Sequence, residues 1–209
     1  LLLGMIWGAS FLFQRITVPV VGASFTAAIR LALSAAMLVF VLRLLGRSLD
    51  LRRQWRAWLW LGTISAALPF LCFAYAARSL PAGYMAVINA TVPLLTVIFA
   101  ALLWRVRASW SQRIGVVVGL IGVGVLARYG SLGMTQQTLV AIGLCFVASA
   151  LYAYSSLFIR QHHANVNPLV LAAASQLGAA VAILPLGSAI GAEIADGEGC
   201  RLPLDSTLS

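Results

Sequence analysis

Apolar residues occur along this chain in long blocks that are separated by short joints bearing Arg, Pro and Gly. A helix needs about 20 apolar residues to cross the hydrocarbon core of a bilayer. Blocks approaching or reaching that length lie at residues 1–18, 24–45, 57–77, 83–104, 112–128, 138–159 and 168–190. Period-two alternation is absent from them, and an open sheet would leave backbone groups unpaired in lipid. The pattern therefore predicts an all-α, polytopic bundle of about seven transmembrane helices.

Composition strengthens this prediction and excludes two classes of protein. The chain is 62% hydrophobic and only 9% charged, whereas a soluble domain carries about a quarter of its residues as charges. The net charge of +9 comes from Arg residues placed between apolar blocks. Nucleic-acid binding would need that charge on one solvated face. A soluble fold and a nucleic-acid-binding protein are both disfavoured.

The Arg residues also predict an orientation in the membrane. The joints after the second, fourth and sixth spans hold nine Arg residues, against two in the joints on the opposite side. Cytoplasmic joints carry the excess of positive charge. The expected topology is therefore a multi-pass protein of the inner (plasma) membrane with a cytoplasmic N-terminus.

Polar side chains inside the spans are candidates for a substrate site, because each is costly in lipid and must face protein or water. Trp7, Ser10 and Gln14 follow one helical face. Arg30 lies about 9 Å inside its span at 1.5 Å per residue, where it either lines a cavity or snorkels to the interface. Helix packing remains the alternative for the others. The candidate substrate-binding residues are Trp7, Ser10, Gln14, Arg30, Tyr75, Asn89, Ser149 and Tyr152.

Signatures of catalysis and of cofactor binding are missing from the sequence. The two histidines, His162 and His163, are adjacent in a predicted cytoplasmic joint, and no HExxH or Walker loop occurs. The three cysteines have no metal-ligand spacing. The first six spans contain no acidic residue for a carboxylate proton relay. We therefore expect no enzyme activity, no catalytic residue, no metal site and no cofactor.

A faint internal repeat relates the first and sixth spans. Gly4 matches Gly143, Ser10 matches Ser149 and Phe13 matches Tyr152 at one constant offset. Five spans separate the two openings, and an odd number inverts the second copy relative to the first. Inverted repeats are common in secondary transporters.

Residues 75–103 resemble the third-to-fourth-span region of EamA-type transporters of the drug/metabolite transporter superfamily. An aromatic-Ala pair, a Pro/Ala/Gly turn, a small-residue helix, and then a Pro before an apolar helix follow in that order. The opening GMIWGASF, Arg30 and the run IGVVVGLIGVGVL resemble other parts of the same family. The chain departs from it at Val106, where the family usually has the Glu of a Gly-Glu-Arg turn.

The resemblance implies ten spans in two inverted five-helix repeats, which carry small metabolites across the membrane. Residues 1–130 would form the first repeat, residues 137–190 the first two helices of the second, and residues 191–209 a disordered or aberrant tail. The chain is then expected to be a truncated copy that does not transport alone, unless a homodimer completes its cavity. Its partners would be the bilayer and a small-molecule substrate. The alternative is a noncatalytic membrane assembly or regulatory subunit.

Overall fold

The computed structural model describes residues 2–47, 51–106, 109–129 and 135–183, and the regular structure in these ranges is helical throughout. The predicted tail at 191–209 lies outside the described residues. A π-helical segment, Thr63–Ala67, joins α3 to α4. The α-helices are α1 (Leu2–Val21), α2 (Ala23–Leu44), α3 (Leu51–Gly62), α4 (Leu68–Ala76), α5 (Ala82–Asn89), α6 (Val92–Leu103), α7 (Trp110–Tyr129), α8 (Gln136–His162) and α9 (Pro168–Ile183).

The predicted all-α fold class is confirmed, and each predicted apolar block is helical where the structure describes it. Five blocks form one helix each, whereas the third and fourth are each built from two helices. Four helical stretches are long and apolar enough to cross a membrane: Ala23–Leu44, Gln54–Ala76, Ala82–Leu103 and Gln136–His162. The α9 helix is apolar but shorter, at 16 residues.

Two spans are interrupted near a proline, for a shared chemical reason. Pro69 is the second residue of α4 and has no N–H to donate back along the helix, and the N–H of Leu68 before it reaches the carbonyl of Thr63, as in a π-helix. In the fourth span the helix stops at Asn89 and restarts at Val92, one residue before Pro93. Proline removes a helical hydrogen bond at both places.

Where α6 ends, the backbone takes up a conformation that glycine adopts most readily. Arg105 has φ 53°, and the N–H of Val106 donates to the carbonyl of Ala100 at 3.0 Å. The N–H of Trp104 donates to the same carbonyl at 3.3 Å. Arg105 and Val106 occupy the first two positions of the turn in which the sequence departs from the EamA pattern.

The contacts between helices show which ends lie together. The guanidinium of Arg15, near the end of α1, donates to the carbonyl of Ala77 at the end of α4, at 2.6 Å. At the opposite end of the bundle, the ring centroid of Trp58 on α3 lies 5.4 Å from that of His163, which follows α8. Consecutive spans therefore run antiparallel, and the Arg-rich joints lie at the end that holds Trp58.

Helices α8 and α9 pack into the bundle formed by the earlier helices. The α8 helix contacts α4, α5 and α6, while α9 contacts α2, α3 and the π-helical segment. The larger of two apolar cores among the described residues joins them, and it includes Leu31, Phe73, Met85, Cys145 and Ala179. The two segments predicted as separate repeats share this core. Their boundaries at 130 and 137 stay a prediction.

The closest packing lies between α3 and α9, where two glycines bring the backbones into contact. A Cβ atom added at Gly178 would lie 2.1 Å from the carbonyl oxygen of Trp58. One added at Gly62 would lie 2.3 Å from the carbonyl oxygen of Ser175. No side chain fits at either position. We call this contact the α3–α9 seam.

Candidate functional site

A groove of about 670 Å³ lies between α1 and α2 and is open at the surface of the bundle, where Phe13, Ile29 and Leu33 are exposed. We call it the α1–α2 groove. Its apolar wall includes Phe13, Phe25, Ile29 and Leu33. Its polar side chains are Ser10, Gln14, Thr17, Thr26, Arg30 and Ser34. The groove thus combines a mostly apolar lining with a few polar groups, as small-molecule sites do.

Gln14 is the most buried polar residue of the groove. Its side chain is only 3% exposed, and its Oε1 atom is buried without a hydrogen-bond partner. Leaving a buried acceptor unpaired costs about 1–3 kcal/mol. A ligand that donates a hydrogen bond to Oε1 would recover that energy.

The two threonines of the groove can only accept hydrogen bonds from a ligand. The hydroxyl of Thr26 donates to the carbonyl of Gly22 at 2.8 Å, and that of Thr17 donates to the carbonyl of Phe13. Each hydroxyl proton is therefore engaged within its own helix, and only the oxygen lone pairs can serve a ligand.

Arg30 is the charged residue that lines the groove. Its guanidinium lies over the ring of Phe70 on α4, 4.5 Å from the ring centroid. A cation above an aromatic face is stabilised by about 0.5–2 kcal/mol. Arg30 therefore both lines the groove and packs on the core.

Four aromatic rings in contact lead from Phe70, beneath Arg30, into the core, and we call them the aromatic ladder. Phe73 packs edge-on against Phe11 of α1 at 5.0 Å and stacks with Tyr152 of α8 at 6.3 Å. Tyr152 also meets Phe70 edge-on at 6.5 Å. The ladder links α1, α4 and α8, so that Tyr152 belongs to the core behind the groove and does not line it.

Asn89 and Ser149 lie away from the groove, at the break between α5 and α6. The Oδ1 atom of Asn89 is buried without a hydrogen-bond partner. Ser149 is fully buried, and its hydroxyl lies 2.9 Å from the carbonyl oxygen of Cys145 and 3.3 Å from that of Ile88. These two candidates form a second polar region inside the bundle.

Tyr75 contributes to a separate cavity of about 540 Å³, where the turn after α4 faces the first turns of α8. Its hydroxyl pairs with that of Ser24 at 2.8 Å, and the guanidinium of Arg78 lies 4.8 Å from its ring centroid. Trp7 lies in α1, and its side chain is outside the described residues.

Six of the predicted residues thus divide among three places, and Tyr152 lies in the aromatic core behind the groove. The groove contains Ser10, Gln14 and Arg30, the helix break contains Asn89 and Ser149, and Tyr75 lines the cavity beside α8. Their role in substrate binding stays a prediction. In the described ranges no group of three or more His, Cys, Asp or Glu side chains is placed to hold a metal ion.

Sequence reasoning missed the polar face that α2 presents to the groove. Thr26, Arg30 and Ser34 are spaced four residues apart, which aligns them on one side of the helix, and all three line the groove. That spacing was visible in the sequence. Its significance depended on knowing that α1 and α2 diverge enough to leave space between them.

The two adjacent histidines take part in an aromatic cluster at the Arg-rich end. The ring of His162 stacks on Phe158 at 4.3 Å, and His163 contacts both Phe158 and Trp58. Burial, with a smaller effect of His162, lowers the pKa of His163 below its ordinary value of 6.5. The cluster is a packing contact, without a carboxylate or hydroxyl partner among the described contacts that would make it a catalytic pair.

Comparison with known proteins identifies one family. The model of the EamA-like transporter family matches residues 1–128, which contain α1 to α6 and all but the last residue of α7. Searches of the curated proteins and of the solved structures return no match.

Proposed function

Because the chain belongs to the EamA-like transporter family, we propose that it is a secondary transporter, which carries a small metabolite across the inner membrane by alternating access. The observation that carries this proposal is the α1–α2 groove. It places an arginine and a buried glutamine, whose Oε1 has no hydrogen-bond partner, within spans that are mostly apolar. Polar groups held inside a membrane protein at this cost usually serve a substrate or an ion.

The groove suggests what kind of molecule would bind. Gln14 offers an acceptor, Arg30 offers N–H donors, and Phe13 and Phe25 offer apolar surface. A small metabolite with a polar end and an apolar body would satisfy both. Movement of α1 and α2 against α8, across the aromatic ladder, would then expose the groove alternately to the two sides.

The proposal is tested with the purified chain in liposomes that are loaded with a ¹³C-labelled metabolite extract. Since the transporting form we propose is a homodimer, we expect selective release of one or a few labelled metabolites, and we expect the Ser10→Leu variant to release none of them. The protein-to-lipid ratio is varied in parallel. Release per chain that rises with this ratio indicates a homodimer, while constant release per chain indicates a monomer. Failure to release any metabolite at every ratio contradicts the transporter proposal.

The orientation is a separate part of the proposal. Five Arg residues between 43 and 56 support a cytoplasmic location for the joint between the second and third spans. A Ser48→Cys variant, in a chain whose own three cysteines are replaced by alanine, should resist an impermeant thiol reagent in intact cells and react after lysis. Labelling from outside intact cells would reverse the assigned orientation.

A further inference from the structure

The break in the fourth span is the second polar region of the bundle, and its atoms are almost all oxygens. The α5 helix ends at Asn89, after eight of the 22 residues of the span Ala82–Leu103, and α6 begins at Val92. The break therefore lies well inside the membrane. Discontinuous helices at this depth provide carbonyl oxygens and the negative end of a helix dipole to bound cations.

Two acceptor oxygens of Asn89 are left without a donor at the break. The residue four positions later is Pro93, which has no N–H, and the backbone carbonyl of Asn89 therefore lacks its helical partner. The side-chain Oδ1 of Asn89 is buried without a hydrogen-bond partner. Backbone and side-chain oxygens of one residue are thus both available in a water-poor interior.

Two hydroxyl oxygens, those of Thr91 and Ser149, lie at the carbonyl of Ile88, the residue before Asn89, and both direct their protons at main-chain carbonyls. Thr91 is 4% exposed, and its hydroxyl donates to the carbonyl of Ile88 at 2.6 Å. The N–H of Thr91 donates to the same carbonyl at 3.0 Å. The hydroxyl of Ser149 donates to the carbonyl of Cys145 at 2.9 Å and to that of Ile88 at 3.3 Å.

Ser149 therefore directs its proton at main-chain carbonyls, with its Oγ 3.3 Å from the Ile88 carbonyl oxygen. Hydroxyl oxygens whose protons are engaged in this way can serve a ligand only as acceptors. Hard cations such as sodium are bound by oxygens of carbonyls, amides and hydroxyls.

We propose that the α5–α6 break and Ser149 form a binding site for a small monovalent cation, with Asn89 Oδ1, the Asn89 carbonyl, Thr91 Oγ1 and Ser149 Oγ as its ligands. The role of this cation as the coupling ion rests on the proposed function of the chain. Binding of the cation does not.

The chemistry of these four oxygens selects the ion. No acidic residue occurs between residues 51 and 192 of the sequence, and divalent cations in proteins usually require carboxylates. None of the four groups titrates near neutral pH, and a proton is therefore not the expected ligand. Because Thr91 and Ser149 are both less than 5% exposed, little space is left around the ion, and the site favours sodium over the larger potassium ion.

The test measures cation binding directly, in detergent, on the purified full chain. NaCl is titrated against choline chloride at constant ionic strength, and both the unfolding temperature and ²²Na⁺ binding are recorded. Sodium should raise the unfolding temperature saturably and bind with the same midpoint, while KCl should have less effect. The midpoint should not change between pH 6 and 8.

Matched variants separate the site from general packing. Ser149→Ala and Thr91→Val should weaken sodium binding by about 10-fold or more, as loss of a metal-site partner does, while Asn89→Asp should strengthen it. Ser155→Ala and Thr96→Val are the controls. Their hydroxyls donate to carbonyls of their own helices in the same way, and sodium binding should be unchanged in both.

The outcomes distinguish this inference from the proposed function. A folded wild-type chain that gives no saturable sodium effect overturns the cation site, as does an equal loss of binding in Ser149→Ala and Ser155→Ala. Sodium binding without metabolite release supports the site and contradicts the transporter proposal. Metabolite release that is independent of sodium, in a chain that does not bind it, supports the transporter proposal and overturns the cation site.

Discussion

The α3–α9 seam and the α1–α2 groove are both contacts between transmembrane helices, yet their chemistry is opposite. In the seam, Gly62 and Gly178 have no side chains, and the backbones of the two helices touch there. In the groove, bulky residues hold the helices apart, and Gln14 is left buried without a partner for its oxygen. Small residues drive helix association in lipid because they permit close van der Waals packing. The comparison indicates that close packing between α3 and α9 holds the bundle together, while the polar side chains available to a ligand lie between α1 and α2.

The largest effect is expected from a change that opens the seam. Gly178→Ala places a Cβ atom where the Trp58 carbonyl oxygen lies, at 2.1 Å, and backbone atoms cannot move aside without separating the helices. Overpacking of this kind should lower the free energy of unfolding by about 3 kcal/mol. Thermal unfolding in detergent and the fraction of monodisperse protein measure the loss.

Gly143→Ala is the matched control for the seam, because its Cβ atom on α8 would meet no other atom within 4 Å. It should leave the unfolding temperature unchanged or slightly higher. If both variants behave alike, the close contact of α3 with α9 does not hold the bundle together.

The next largest effect concerns function alone. Ser10→Leu inserts a branched apolar side chain into the groove and should abolish transport while the abundance of the protein stays the same. Gly8→Leu is the control, since Gly8 is exposed on the same helix and a Cβ there meets no atom within 4 Å. Equal metabolite release by the wild type and Ser10→Leu would remove the groove as the substrate path.

A smaller effect, of opposite sign to that at the seam, is expected at Gln14. Replacing it with leucine removes an unpaired buried acceptor, and Gln14→Leu should raise the free energy of unfolding by about 1 kcal/mol while transport is lost. Gln176 on α9 also has a buried, unpaired Oε1 but does not line the groove. Gln176→Leu should gain similar stability and keep transport. Transport loss in both variants would show that the two glutamines act through the fold.

The smallest effect is a pH dependence at the Trp58 end of the seam. Burial lowers the pKa of His163 in the folded chain below its ordinary value of 6.5. The unfolded chain therefore binds more protons in this window, and stability falls as the pH drops below about 6.5. His163→Gln should reduce the change in unfolding temperature between pH 7 and 5.5. The same change in wild type and variant would assign the pH dependence elsewhere.

Much of the architecture followed from residue order alone, for identifiable reasons. Backbone groups in lipid must be paired locally, and each long apolar block therefore becomes a helix wherever it packs. Pro69 and Pro93 each leave one helical hydrogen bond unmade because they lack an N–H whatever surrounds them, and both lie at the breaks of their spans. The run of residues 75–103 and the opening GMIWGASF were enough to place the chain in its family, as the match over residues 1–128 confirms.

The division of the polar residues could not be read from the sequence. Ser10 and Ser149 are matched serines of the internal repeat, yet one lines an open groove and the other is fully buried against the α5–α6 break. Residue type and spacing indicate that each of the two serines needs a polar environment. Which neighbouring helix supplies it depends on packing between distant parts of the chain.

The sequence by itself therefore determined the helices, their antiparallel succession and the family, because these depend on the local pairing of the backbone and on apolar length. Only the tertiary structure decided that α9 meets α3 through glycines, that Arg30 lies over Phe70, and that Asn89 faces the interior without a donor. These features depend on the distances between helices, which in a membrane are determined by van der Waals fit between side chains far apart in the chain.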